Sequence, residues 1–135
     1  MANLYGLDAA GNAAYIKATG AGATGDPFIV NNDLFTSELK SAFITNTASA
    51  DVIAAVNSRK LRVIAMTITS VSGCTVKLQS GASTDKTPPF HIDGNGNLTQ
   101  SNPLGLFESV IGEKINAVVS GTTTYTVMLS YREVA

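Results

Sequence analysis

The chain reads as an all-β protein, an antiparallel β-sandwich or jelly roll preceded by an extended N-terminal arm. Three features lead there. Short apolar-alternating runs recur from about residue 39 onward, turn residues separate them at near-regular spacing, and no amphipathic helix of useful length interrupts them. About eight to nine such strands leave two sheet edges to manage, and a two-sheet roll of roughly 100 residues does so.

The arm, residues 1–36, differs in texture from the domain expected over 37–135. Residues 1–27 hold 8 Ala and 5 Gly, with few apolar anchors among them. Side chains this small bury little area, so the segment cannot offset its own ordering entropy and is expected to order against a partner. Its anchors are Leu4, Tyr5, Leu7, Tyr15 and Ile16, followed by Phe28 and Ile29. The glycines at 20, 22 and 25, followed by Pro27, form the joint.

The expected strands are Leu39–Thr47, Asp51–Val56, Lys60–Val71, Cys74–Ser80, Phe90–Asp93, Asn97–Gln100, Leu104–Ser109, Lys114–Ser120 and Thr124–Val134. Asp51–Val56 reads equally as a turn and a half of helix, because Ala54 and Ala55 lower its strand propensity. Turn chemistry separates the strands: Ser72-Gly73, Gly81 to Pro89, Asp93-Gly94-Asn95-Gly96, Asn102-Pro103, Ile111-Gly112 and Ser120-Gly121.

Two strands alternate cleanly. Tyr125, Val127, Leu129 and Tyr131 share one face of the last strand, and only Met128 breaks the polar one. Cys74, Val76 and Leu78 point inward from theirs, which makes the single cysteine a buried apolar thiol. Lys60–Val71 behaves differently. Simple alternation puts Leu61, Val63 and Ala65 on one side and Ile64, Met66 and Ile68 on the other, so the strand needs cover on both faces. That assigns Ile64, Met66, Ile68 and Met128 to a contact with a sister copy or with the chain's own arm and loops.

Charge narrows the function. Nine basic and ten acidic side chains leave a net charge of −1, so nothing steers the molecule to nucleic acid. Charged residues make up 14% of the chain against about 25% in an average domain, as expected of a surface largely covered by partners. One Cys and one His cannot build the usual metal site, and no disulfide can form within the chain. The first residues carry no basic stretch or apolar run of signal-peptide type, and no segment has the ~18 apolar residues of a membrane span. The expectation is a cytoplasmic product with no membrane partner.

Chemistry is sparse. His91, beside Phe90 and Ile92, reads as a strand residue satisfied by a hydrogen bond. No Gly-x-Ser-x-Gly elbow presents a nucleophile, and Gly20-Ala21-Gly22 opens no phosphate-binding helix. Glu108 and Glu113 flank a turn and read as solvated charges. Asp93 to Asn97 begins like a calcium loop, yet Leu98 and Leu104 stand where that motif needs Gly and Glu, so it reads as a hairpin turn. No catalytic set or cofactor is expected.

Ala13-Ala14-Tyr15-Ile16-Lys17-Ala18-Thr19-Gly20-Ala21-Gly22 through Gly25-Asp26-Pro27-Phe28-Ile29 resembles an N-terminal motif of small phage virion proteins. The order that follows is similar to the jelly-roll capsid decoration (cement) proteins of tailed phages: Val52 to Val56, Lys60 to Val63, Val76 to Gly81, Pro88-Pro89, Asn102 to Glu108 and Gly112 to Ala117. The resemblance implies a virion protein made in the host cytoplasm, a homotrimer of jelly rolls on the capsid exterior. Its arm would hold it to the major capsid protein, and it would have no catalytic residues. The alternative is a tail, neck or head-fibre module that binds host-surface glycans.

Overall fold

The structure is a computed structural model that describes residues 37–135 and the backbone of two short N-terminal strands, β1 (Tyr5–Leu7) and β2 (Ala13–Tyr15). Leu4, Ile16, Phe28 and Ile29 lie outside the described residues. The chain divides into two units, Met1–Asn32 and Asp33–Ala135. In the first, β1 and β2 pair antiparallel, with Tyr5 opposite Tyr15 and Leu7 opposite Ala13. The sequence leads instead to an extended arm without strands, because its small side chains bury too little area to offset their own ordering entropy.

The second unit is an all-β sandwich. Its strands are β3 (Lys40–Asn46), β4 (Ala50–Ile53), β5 (Lys60–Ser70), β6 (Cys74–Ser80) and β7 (Thr84–Asp85). They continue with β8 (Phe90–Ile92), β9 (Asn97–Ser101), β10 (Phe107–Glu108), β11 (Ile115–Ser120) and β12 (Tyr125–Val134). Asp51 therefore begins no helix; the β-branched Val52 and Ile53 are buried as a strand.

Two five-stranded antiparallel sheets pack together. The first runs β10-β5-β12-β3, with β9 sharing the edge of β5 that β10 occupies. The second runs β4-β11-β6-β7, with β8 beside β7 on the same edge of β6. The chain repeatedly changes sheets. Consequently its early strands pair with its late ones: β3 with β12, β4 with β11, and β5 with β9 and β10.

Both inner faces feed one core, which includes Leu61, Val76, Leu78, Ile115, Val127 and Leu129, all 0% exposed. Burying side chains of this size stabilises the fold by roughly 1.5–3 kcal/mol each. As the alternation predicts, β6 and β12 send Cys74, Val76, Leu78, Tyr125, Val127 and Leu129 inward.

β5 corrects the two-faced reading. Against β12, Ala65 stands opposite Ser130 and Val63 opposite Tyr131, so Ile64 has no partner of its own. This β-bulge inserts one residue and reverses the alternation. Leu61 and Val63 point inward before it, and Met66 and Ile68 point inward after it. Met66 and Ile68 are therefore packed in this chain's own core and do not offer a surface to a sister copy. Ile64 is half-buried at the bulge.

The turn at Asp93–Asn97 is also corrected. β8 belongs to the second sheet and β9 to the first, so the turn carries the chain between sheets and closes no hairpin. The Gly96 amide donates to the Asp93 carbonyl at 2.9 Å, and a Cβ on Gly96 would lie 2.9 Å from that oxygen. Only glycine allows the approach.

Candidate interaction surface

Among the described residues the polar side chains form local pairs rather than one convergent site. His91 Nδ1 lies 3.1 Å from the Thr75 hydroxyl, the strand hydrogen bond expected of it. Glu108 accepts from Arg62 at 2.7 Å and lies 3.7 Å from Lys60 Nζ. Glu113 is not simply a solvated turn charge either. It accepts at 2.6 Å from the hydroxyl of Ser80, which is 0% exposed and itself accepts from the Val110 amide at 2.8 Å. Sequence spacing hid both contacts, because the partners lie tens of residues away. Among the described residues, no three His, Cys, Asp or Glu side chains gather as a metal site would require.

The informative contrast is between the two outer faces. That of the second sheet is charged and cross-linked. Lys77 and Gln79 both reach Asp85, at 3.0 and 2.6 Å, and Lys114 reaches Asp51 at 2.8 Å. The hydrogen bond from Gln79, then that from Lys77, holds the Asp85 carboxyl below the usual carboxylate range.

The first sheet gathers its charges at one end. Lys40 donates to Glu133 at 2.6 Å, and that bond raises the lysine above its ordinary value. Arg62 and Lys60 meet Glu108 close by, and Arg132 donates to the Ser37 carbonyl. Beyond that end the face carries no formal charge among the described residues. Thr45 and Thr126 bond across strands at 2.8 Å, and Thr67 and Thr99 at 3.3 Å. Among these hydroxyls Phe43 stands directly opposite Met128, 70% and 48% exposed. Strand β3, which carries Phe43, pairs only with β12 among the described residues, and its other edge has no strand partner among them.

Of the residues assigned in advance to an oligomer contact, Met128 is on this surface, Ile64 is at the bulge, and Met66 and Ile68 are inside. Among the arm anchors, Tyr5, Leu7 and Tyr15 fall within the paired strands β1 and β2. Phe43 was missed. It occupies the phase shared with Ser41 and Thr45, and an apolar residue in a polar phase was the available signal, as it was for Met128.

No protein-family model, curated protein or solved structure matches this chain.

Proposed function

We propose that this protein is a structural virion component, a capsid decoration protein that binds the outer surface of a tailed-phage head and stabilises the shell as a homo-oligomer. One observation carries the reading: the first sheet confines its charges to one end and leaves a neutral stretch of outer face, where Phe43 and Met128 lie exposed beside a strand edge with no partner among the described residues. Apolar side chains on a neutral sheet face mark surface meant for cover.

The strand order supports the jelly-roll form of the reading. Taking β3, β4, β5 and β6 in turn, each has a strand from the second half of the chain beside it: β12, β11, β9 and β8. This nesting is what a long hairpin of eight strands rolled up on itself would give, an arrangement used by capsid domains. The reading assigns the N-terminal segment to the major capsid protein and gives the chain no catalytic role. The glycan alternative gains less support. Its one candidate stretch, Asp93–Asn97, is committed to joining the sheets, with the Asn95 amide donating to Val71 and the Gly96 carbonyl accepting from Ser70.

A protein that binds only the assembled shell shifts the equilibrium toward it. The test is deletion of residues 1–36 followed by sedimentation with purified heads. The expected result is a folded β domain that no longer co-sediments. Full retention on heads would refute the assignment of the N-terminal segment.

A further inference from the structure

The edge of β3 away from β12 has no strand partner among the described residues, and it lacks the usual guards. Sheet edges are normally guarded by proline, a bulge, an inward charge or a very short strand. β3 runs seven residues, Lys40–Asn46, and pairs with β12 without a register break. It contains no proline, and its one charge, Lys40, sits at its first residue and is held by Glu133. Such an edge is a template for another strand.

The strand's own sequence identifies that other strand. In Lys40-Ser41-Ala42-Phe43-Ile44-Thr45-Asn46 the midpoint is Phe43. A two-fold axis through Phe43, perpendicular to the sheet, lays β3 antiparallel against a second β3. Phe43 then meets the partner's Phe43, Ser41 meets the partner's Thr45, Ala42 meets the partner's Ile44, and Lys40 meets the partner's Asn46. Hydroxyl faces hydroxyl, apolar faces apolar, and no like charges oppose. Directly opposed aromatic and Ser/Thr pairs are stabilising, whereas opposed like charges are not.

The outer face extends across the junction as Met128, Phe43, the partner's Phe43 and the partner's Met128. Ala42 and Ile44, already packed on the core from the half-open side, gain cover as well. A foreign charged strand would set its charges against a neutral row without counter-ions.

We infer that two copies of this protein join edge to edge through β3, making the first sheets of both copies continuous, with Phe43 on the two-fold axis. The inference deepens the self-association in the proposed function and assigns it a residue register. It pairs copies two by two, unlike the three-fold arrangement of the resemblance. An edge pair alone covers less than the ~800 Å² per partner of a standard interface, so the association is reversible and concentration-dependent.

Mass measurement by light scattering and disulfide trapping test the inference on the full chain. Wild type is expected to rise from the single-chain 14.0 kDa toward twice that mass as concentration approaches about 1 mM. Phe43→Glu puts like charges on the axis and raises the dissociation constant at least about tenfold. Phe43→Cys is expected to form a covalent pair on mild oxidation, because directly opposed Cα atoms lie ~4.5–5.5 Å apart, within disulfide reach.

Met128→Cys is expected to stay single under the same conditions, since three strand spacings, about 14 Å, separate the two copies of that position. Cys74 is buried and does not compete. A wild type fixed at the single-chain mass, a Phe43→Glu variant with the wild-type mass curve, or cross-linking at 128 but not at 43 would each overturn the pairing. Head binding is a separate measurement, so the decoration reading and this register fail independently.

Discussion

Deleting Ile64 isolates the one place where strand alternation and structure diverge. The bulge lets Leu61 and Val63 face inward on one side of it while Met66 and Ile68 face inward on the other, and none of the four is more than 2% exposed. Without the extra residue, strict alternation forces one of these pairs out of the core. Returning two buried apolar side chains to water costs roughly 1.5–3 kcal/mol each, so the deletion is expected to cost about 3–6 kcal/mol. Turning the first half of β5 would also bring Arg62 inward, away from Glu108, which adds a desolvation cost.

Against a total stability of about 5–15 kcal/mol, that loss takes most of the margin of a small domain. Urea unfolding followed by circular dichroism measures it through the midpoint, with the slope checked for two-state behaviour. Ile64→Ala is the control: it keeps the residue count and the bulge, and trims a half-buried side chain for about 1–2 kcal/mol. A deletion no more destabilised than Ile64→Ala would show that the strand absorbs the change without exposing its core, and the phase-reversal argument would fail.

Two further outcomes follow from buried polar groups. Ser80→Ala removes the donor to Glu113 and the acceptor for the Val110 amide inside the fold, and is expected to cost about 1–3 kcal/mol in the same urea assay; an unchanged midpoint counts against the network. Tyr125 is 1% exposed and donates to the Ala48 carbonyl at 2.8 Å, and burial pushes its phenol up from the ordinary value, with Cys74 adding a smaller push. The unfolded chain therefore releases this proton first, near pH ~10. The resulting stability loss begins there and grows until the folded phenol ionises. Tyr125→Phe removes that alkaline loss, and equal losses in variant and wild type between about pH 9 and pH 11 would refute the assignment.

The strand pattern was legible because it is local. Cys74–Ser80 was placed residue for residue, and β3, β5, β9, β11 and β12 within a residue or so at each end. What was misread involves a second strand. Nothing between Lys60 and Val71 marks a bulge; it exists because Ser130 and Tyr131 pair two steps apart on β5. The reach of Asp85 to Lys77 and Gln79 was equally hidden, since Thr84–Asp85 lay inside what reads as a Pro-terminated turn.

The candidate surface divides the same way. Met128 was visible as an apolar residue in a polar phase, and Phe43 was visible in principle by the same test. That the two stand opposite each other, and that Phe43 is on an edge strand among the described residues, follows from strand order alone.

The sequence by itself determined that the chain is all-β, roughly where it turns, and which side of β6 and β12 is apolar, because period-two alternation and turn chemistry are properties of neighbouring residues. Only the tertiary structure decided which strands pair, where β5 changes phase, and which strand ends the first sheet among the described residues. Those depend on hydrogen bonds between segments far apart in the chain, and no local pattern encodes which distant strand will supply the partner.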